Sequence, residues 1–200
     1  IAMAGQRTGI VAYGSYIPAT RLPLAMIHGG RAKEGGPEKA VAGFDEDAIT
    51  MAVTAAVDCL HGIERSAVNG VYFATTTSPF REKQGAVFIA KALDLRSDIA
   101  TNDFTGTLRA GAGALLAASL AVQADPTKII LVVTADTRLA APRSALEMNM
   151  GDAAAAFLIE RRFGEKRFQP GLWLRQPLEL VPLVAGADVL RGAPLLHLRH

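Results

Sequence analysis

The run Lys128-Ile129-Ile130-Leu131-Val132-Val133-Thr134 constrains this chain more than any other segment. It is too short for a buried helix and rich in β-branched residues, so it reads as a strand. Both of its faces are apolar, which requires cover on both sides, as at the centre of a parallel sheet flanked by helices. The neighbouring segments agree. Thr8 to Ile17 reads as a first strand stopped by Pro18, Val68 to Thr76 as a second, Asp98 to Asp103 as a third and Ala153 to Glu160 as a last. Helical patterns fall between them. Phe44-Asp45-Glu46-Asp47 opens one, with Asp45 as its expected N-cap, and Ile49, Ala52, Val53, Ala56, Val57 and Leu60 continue it as one apolar stripe up to Gly62. Gly85 to Leu93 is a short second helix. Leu108 to Gln123 is apolar on nearly every face, so it is expected to be buried all round, and Asp125-Pro126 stops it. Strands alternating with helices give an α/β fold with a mixed, mostly parallel sheet and a buried central helix.

At 200 residues, half of them hydrophobic and a fifth charged, the chain can build one domain with a sizeable core. A net charge of +2 with no Lys/Arg-rich run excludes a nucleic-acid backbone binder. Cys59 is the sole cysteine, so no intrachain disulfide can form, which fits a reducing compartment. The N-terminal residues lack the pattern of a signal peptide. No apolar run reaches the ~20 residues that span a bilayer. These features together give a cytoplasmic expectation with no membrane partner. The pattern is lost after Glu160: Gln169 to His200 carries nine leucines and four prolines and no lysine. Residues 1–160 are expected as the domain. Residues 161–200 are expected as an atypical tail, poorly ordered or read out of frame.

Local chemistry is sparse. His28 and His61 stand at no metal-ligand spacing, so no metal site is expected. Asp45 to Asp47 fit a helix start better than an acid/base set. The Gly29-Gly30 and Gly35-Gly36 pairs lack the spacing of a phosphate loop and belong to a polar loop. Gly151 and Asp152 read as turn residues, with Asp152 bonding local backbone. Cys59 reads as a small core or helix-end residue.

Four segments in order carry a resemblance. Thr8-Gly9-Ile10 through Tyr16-Ile17-Pro18 with Arg21, Asp45-Glu46-Asp47-Ala48-Ile49-Thr50-Met51-Ala52, Asp103-Phe104-Thr105-Gly106-Thr107-Leu108-Arg109-Ala110-Gly111, and Gly151-Asp152-Ala153-Ala154-Ala155-Ala156 are together similar to hydroxymethylglutaryl-CoA synthases of the thiolase superfamily. The Gly-Asp-Ala turn is shared with ketoacyl synthases. The resemblance covers roughly residues 7 to 160 and implies the N-terminal half of a two-half thiolase fold. It implies an acyl-CoA condensing acyltransferase, with acyl-CoA as ligand, Arg143 as a candidate for a CoA phosphate set against a plain surface arginine, no other cofactor, and a homo-oligomer, typically a dimer, or a chain supplying the second half. In that family a cysteine at a helix start attacks the thioester. Here that position falls on Leu108, which cannot be acylated and fits core packing. The family's acidic base should fall near Thr76 to Ser78, where no carboxylate stands, and its His and Asn come from the second half. The resemblance therefore leaves two readings open. One is a condensing enzyme present as a fragment or degraded copy, inactive by itself. The other is a non-catalytic acyl-CoA-binding or scaffold subunit.

Overall fold

The computed structural model describes residues 6–163; of the expected tail, 161–200, the first three residues continue the last strand and the rest lies outside the described residues. Strand β1 (Gln6–Tyr16) leads through a small β2 (Arg21–Pro23), α1 (Leu24–Ile27) and β3 (Glu38–Ala40) to helix α2 (Ala48–Cys59). The order continues β4 (Gly70–Ala74), α3 (Gly85–Ala92), β5 (Ala100–Phe104), α4 (Ala110–Ala124), β6 (Ile130–Asp136), α5 (Ala145–Asn149) and β7 (Ala153–Phe163). The main sheet runs β1-β7-β6-β4-β5. β4 pairs parallel with both β5 and β6, whereas β7 is antiparallel to both β6 and β1. Every strand of this five-stranded sheet except β7 therefore points the same way, giving the mixed, mostly parallel α/β sheet expected.

The run that reads as a doubly covered strand is one. Leu131 and Val133 face the larger core with α2 and α3, among Met51, Phe73 and Ile89. Ile130 and Val132 face a smaller core with Ala114, Ala118 and Val122 of α4. Each such aliphatic side chain contributes about 1.5–3 kcal/mol by leaving water. Gly14 shows how closely α2 lies on the sheet: a Cβ there would sit 2.3 Å from the Cys59 nitrogen and 2.4 Å from the Ala55 oxygen.

Three expectations change. Asp47, not Asp45, caps α2. Its Oδ1 accepts from Ile49 N at 2.9 Å and Thr50 N at 2.7 Å, and the Thr50 hydroxyl accepts from Asp47 N at 2.7 Å. That reciprocal box fixes the start, because Asp47 holds the extended backbone an N-cap needs. Helix α4 is not buried all round. Ala110, Ala114, Ala118 and Val122 form one buried stripe, while Leu116 and Leu120 are 62% and 54% exposed. Only one layer covers that side of the sheet among the described residues, so half of the helix has nothing against it. Leu108 is likewise not in the core: it is 79% exposed, in the turn before α4.

Candidate functional site

Three chain segments leave the sheet at one edge. Because β4, β5 and β6 are parallel, Thr75-Thr76-Thr77, Thr105 to Leu108 and Asp136 to Arg138 all follow their carboxyl ends, where ligands of α/β proteins gather. A carboxylate organises the first and third. Asp136 Oδ1 accepts from Thr76 N at 2.6 Å and from the hydroxyls of Thr75, Thr76 and Thr77, each at 3.0 Å. Thr75 is buried, at 1% exposure, so its hydroxyl needs that acceptor. Arg138 adds a guanidinium, donating to the Thr76 hydroxyl at 2.6 Å. The Thr137 nitrogen donates to the Thr77 hydroxyl at 2.9 Å and closes the network.

Two clefts flank this network. One, of about 560 Å³, is polar and includes Thr75, Thr76, Ser78, Asn102 and Thr105 in its walls. The Asp103 carboxylate on that side is occupied by the start of α3, accepting from Gly85 N at 2.6 Å and Ala86 N at 2.8 Å. The other cleft, of about 360 Å³, lies between β3 and the loop after β6 and is walled by Lys39, Val41, Arg138, Leu139 and Asp152 among others. Asp152 holds this side together. Its Oδ1 accepts from Arg138 N at 2.8 Å and its Oδ2 from Ala42 N at 2.7 Å. Its bonds are thus not local, as its turn position suggests, but reach two distant segments.

The thiol is elsewhere. Cys59 is the last residue of α2 and 2% exposed, and burial pushes it up to about 12, with the Asp58 charge adding to the shift. Leu108 lines neither cleft. Thr107 steadies its turn: the Thr107 carbonyl accepts from Ala110 N at 3.1 Å and its hydroxyl from Arg109 N at 3.3 Å.

Comparison with known proteins fits this geometry. No protein-family model matches the chain. Hydroxymethylglutaryl-CoA synthase of Thermococcus gammatolerans is 32% identical over 164 residues, 80% of this chain and 47% of that protein. The enzyme of Archaeoglobus fulgidus is 34% identical over 210 residues, 96% of this chain and 60% of that protein. A solved hydroxymethylglutaryl-CoA synthase complexed with CoA superposes with a TM-score of 0.69 at 20% identity, over 78% of this chain and 42% of that one. The 3-oxoacyl-(acyl carrier protein) synthase III of Pseudomonas aeruginosa gives 0.70 at 21% identity, over 81% and 53%.

The chain is a thiolase-like, hydroxymethylglutaryl-CoA synthase-like N-terminal half. It spans about half the length of the curated relatives it first matches.

Against that family, the residues sort as follows. Leu108, expected from the resemblance at the nucleophile position, lies in the turn between β5 and α4. Thr76 to Ser78, where the resemblance leads one to expect the acidic base, begin in the network around Asp136, with Thr76 bonded to both Asp136 and Arg138. Arg143 is exposed, with a left-handed φ of 63°, and is absent from the walls of both clefts. His28 and His61 are exposed in loops. Among the described residues no cluster of His, Cys, Asp and Glu could hold a metal, and no helix is long and apolar enough to cross a membrane. Sequence reading missed Asp136, Arg138 and Lys39. A signal existed for the first two: Asp136-Thr137-Arg138 follows the most apolar strand directly, at the end where sites form.

Proposed function

We propose that this chain supplies a CoA-thioester-binding half-site of the acyl-CoA condensing type and does not itself form an acyl-enzyme. One observation carries the reading. The turn at the start of α4 presents Leu108, 79% exposed, while the chain's single thiol is buried at the far end of α2. Covalent condensation needs a nucleophile that can be acylated and expelled. A leucine side chain is neither. A thiol at Cys59, with its pKa raised to about 12, is almost wholly protonated near neutral pH and has no access to a thioester.

The base position supports the same reading. Thr76 keeps its proton at neutral pH, and its hydroxyl is tied between Asp136 and Arg138. Thr76 can therefore donate and accept hydrogen bonds but cannot abstract a proton from an acyl group. Hydroxymethylglutaryl-CoA synthase turnover, if the chain takes part in it, draws its nucleophile and its acid and base from residues outside those matched here. A solved relative complexed with CoA, and another in complex with 3-hydroxy-3-methylglutaryl coenzyme A, make CoA thioesters the ligand to test first.

The test is intact-mass spectrometry of the purified 200-residue chain after incubation with acetyl-CoA, alongside calorimetric titration with CoA. We expect saturable CoA binding and an unchanged mass. A stoichiometric acetyl adduct that disappears on adding acetoacetyl-CoA would overturn the reading, as would the absence of any CoA binding.

A further inference from the structure

We propose that the 360 Å³ cleft between β3 and the loop after β6 is a binding site for an aliphatic monocarboxylate, held by Lys39 and Arg138. Lys39 projects from β3 and is only 7% exposed, yet it lines the cleft. A buried ammonium is costly unless its N–H groups find acceptors. Lys39 has one, the Glu147 carbonyl at 2.6 Å, which leaves two of its three donors without a protein partner. Among the described residues no carboxylate oxygen lies within 4.0 Å of it. Arg138, which also lines the cleft, forms no ion pair among the described residues and uses one guanidinium nitrogen on Thr76.

The acids in the same walls do not serve these cations. Glu46 accepts from Gly43 N at 2.6 Å and from the Tyr16 hydroxyl. Asp152 accepts from the Ala42 and Arg138 nitrogens, and Glu147 from the Arg143 nitrogen. Each carboxylate is turned to main-chain or phenol donors, and both cationic residues are among those that line the cleft. The three acids still limit the ligand. Their charge opposes a dianion such as phosphate, whereas a single carboxylate can satisfy both Lys39 and Arg138 through its two oxygens. Leu22, Val41, Leu139 and Ala140 make the rest of the lining mainly apolar, which suits a short hydrocarbon chain behind the carboxylate. This ligand needs neither CoA nor a nucleophile, so the assignment stands apart from the thioester reading.

The experiment is calorimetric titration of the full chain with hexanoate, hexanamide and inorganic phosphate. We expect one saturable hexanoate site, with hexanamide and phosphate at least about tenfold weaker. Lys39→Met should weaken hexanoate by at least about tenfold while far-UV dichroism stays unchanged. Since Lys39 also holds the Glu147 carbonyl, Lys39→Met could unfold the region. Arg138→Gln, which leaves that bond in place, then decides. Hexanoate affinity within about twofold of the unsubstituted chain in the variant that folds would overturn the proposal. So would the absence of saturable hexanoate binding, or phosphate binding as tightly as hexanoate.

Discussion

Thr76 gives both its main-chain N–H and its hydroxyl to one oxygen of Asp136, at 2.6 and 3.0 Å. With Thr75 and Thr77 added, that oxygen gathers four donors and locks the loop leaving β4 to the end of β6. Asp136→Ala would strand the buried Thr75 hydroxyl and three other donors, and we expect a loss of about 2–4 kcal/mol in urea unfolding. Asp136→Asn keeps an acceptor oxygen and should lose less. Two variants of equal stability would mean that the network does not hold the loop.

Much of the fold was legible because β6 and the α2 stripe repeat one simple rule, apolar residues wherever a sheet or helix meets the core. Ile130 to Val133 could be assigned as doubly covered from composition alone. The outer face of α4 could not. Leu116 and Leu120 are as apolar as Val122, and sequence carries no mark of whether a partner layer is present. Of the candidate site, the sequence singles out only the turn before α4, at Leu108, a residue that lines neither cleft. The polar network was hidden because three threonines and one aspartate match no catalytic spacing, and it takes the parallel pairing of β4 with β6 to bring them together. Lys39 was hidden for a similar reason: it is 108 residues from the Glu147 carbonyl it meets.

The start of α2 separates neighbouring acids. Asp47 accepts two main-chain N–H bonds, while Asp45 is exposed and outside the box. Asp47→Ala should cost about 0.5–2 kcal/mol of stability. Asp45→Ala should stay within about 0.5 kcal/mol, as a surface change does. A larger loss for Asp45 would return the cap to that residue.

Cys59 gives a pH signature. Its folded thiol ionises at about 12 against an ordinary 9.0. The protonated thiol is the folded form, so its contribution is fully present below pH 9.0 and is lost as pH rises from there towards about 12. Over that window it removes on the order of 1.4 kcal/mol per pH unit. Tyr16 adds loss of the same sign from pH 10.0 upward, since its hydrogen bond to Glu46, with burial, raises its phenol. Comparing the unsubstituted chain with Cys59→Ala isolates the thiol. The alanine variant should show a shallower fall in unfolding free energy above pH ~9, and equal slopes would mean that the thiol is accessible to water.

Leu108→Cys places a thiol where the family resemblance puts one. The side chain at this position is 79% exposed, beside Arg109 and in the turn before a 15-residue helix. A neighbouring guanidinium and the positive end of the helix both favour thiolate, so the new thiol should ionise below the ~8.5 of a free cysteine. Cys59 provides the internal control, because it is buried and protonated. We expect iodoacetamide near neutral pH to modify about one equivalent in Leu108→Cys and none in the unsubstituted chain. The pH dependence of that reaction should midpoint below ~8.5. Acetyl-CoA should still give no turnover, because Thr76 supplies no carboxylate base at the site edge. Rapid alkylation of the unsubstituted chain would show that Cys59 reaches solvent. A midpoint above that of free cysteine would show that the α4 turn gives an anion no support, and so could not have activated a nucleophile.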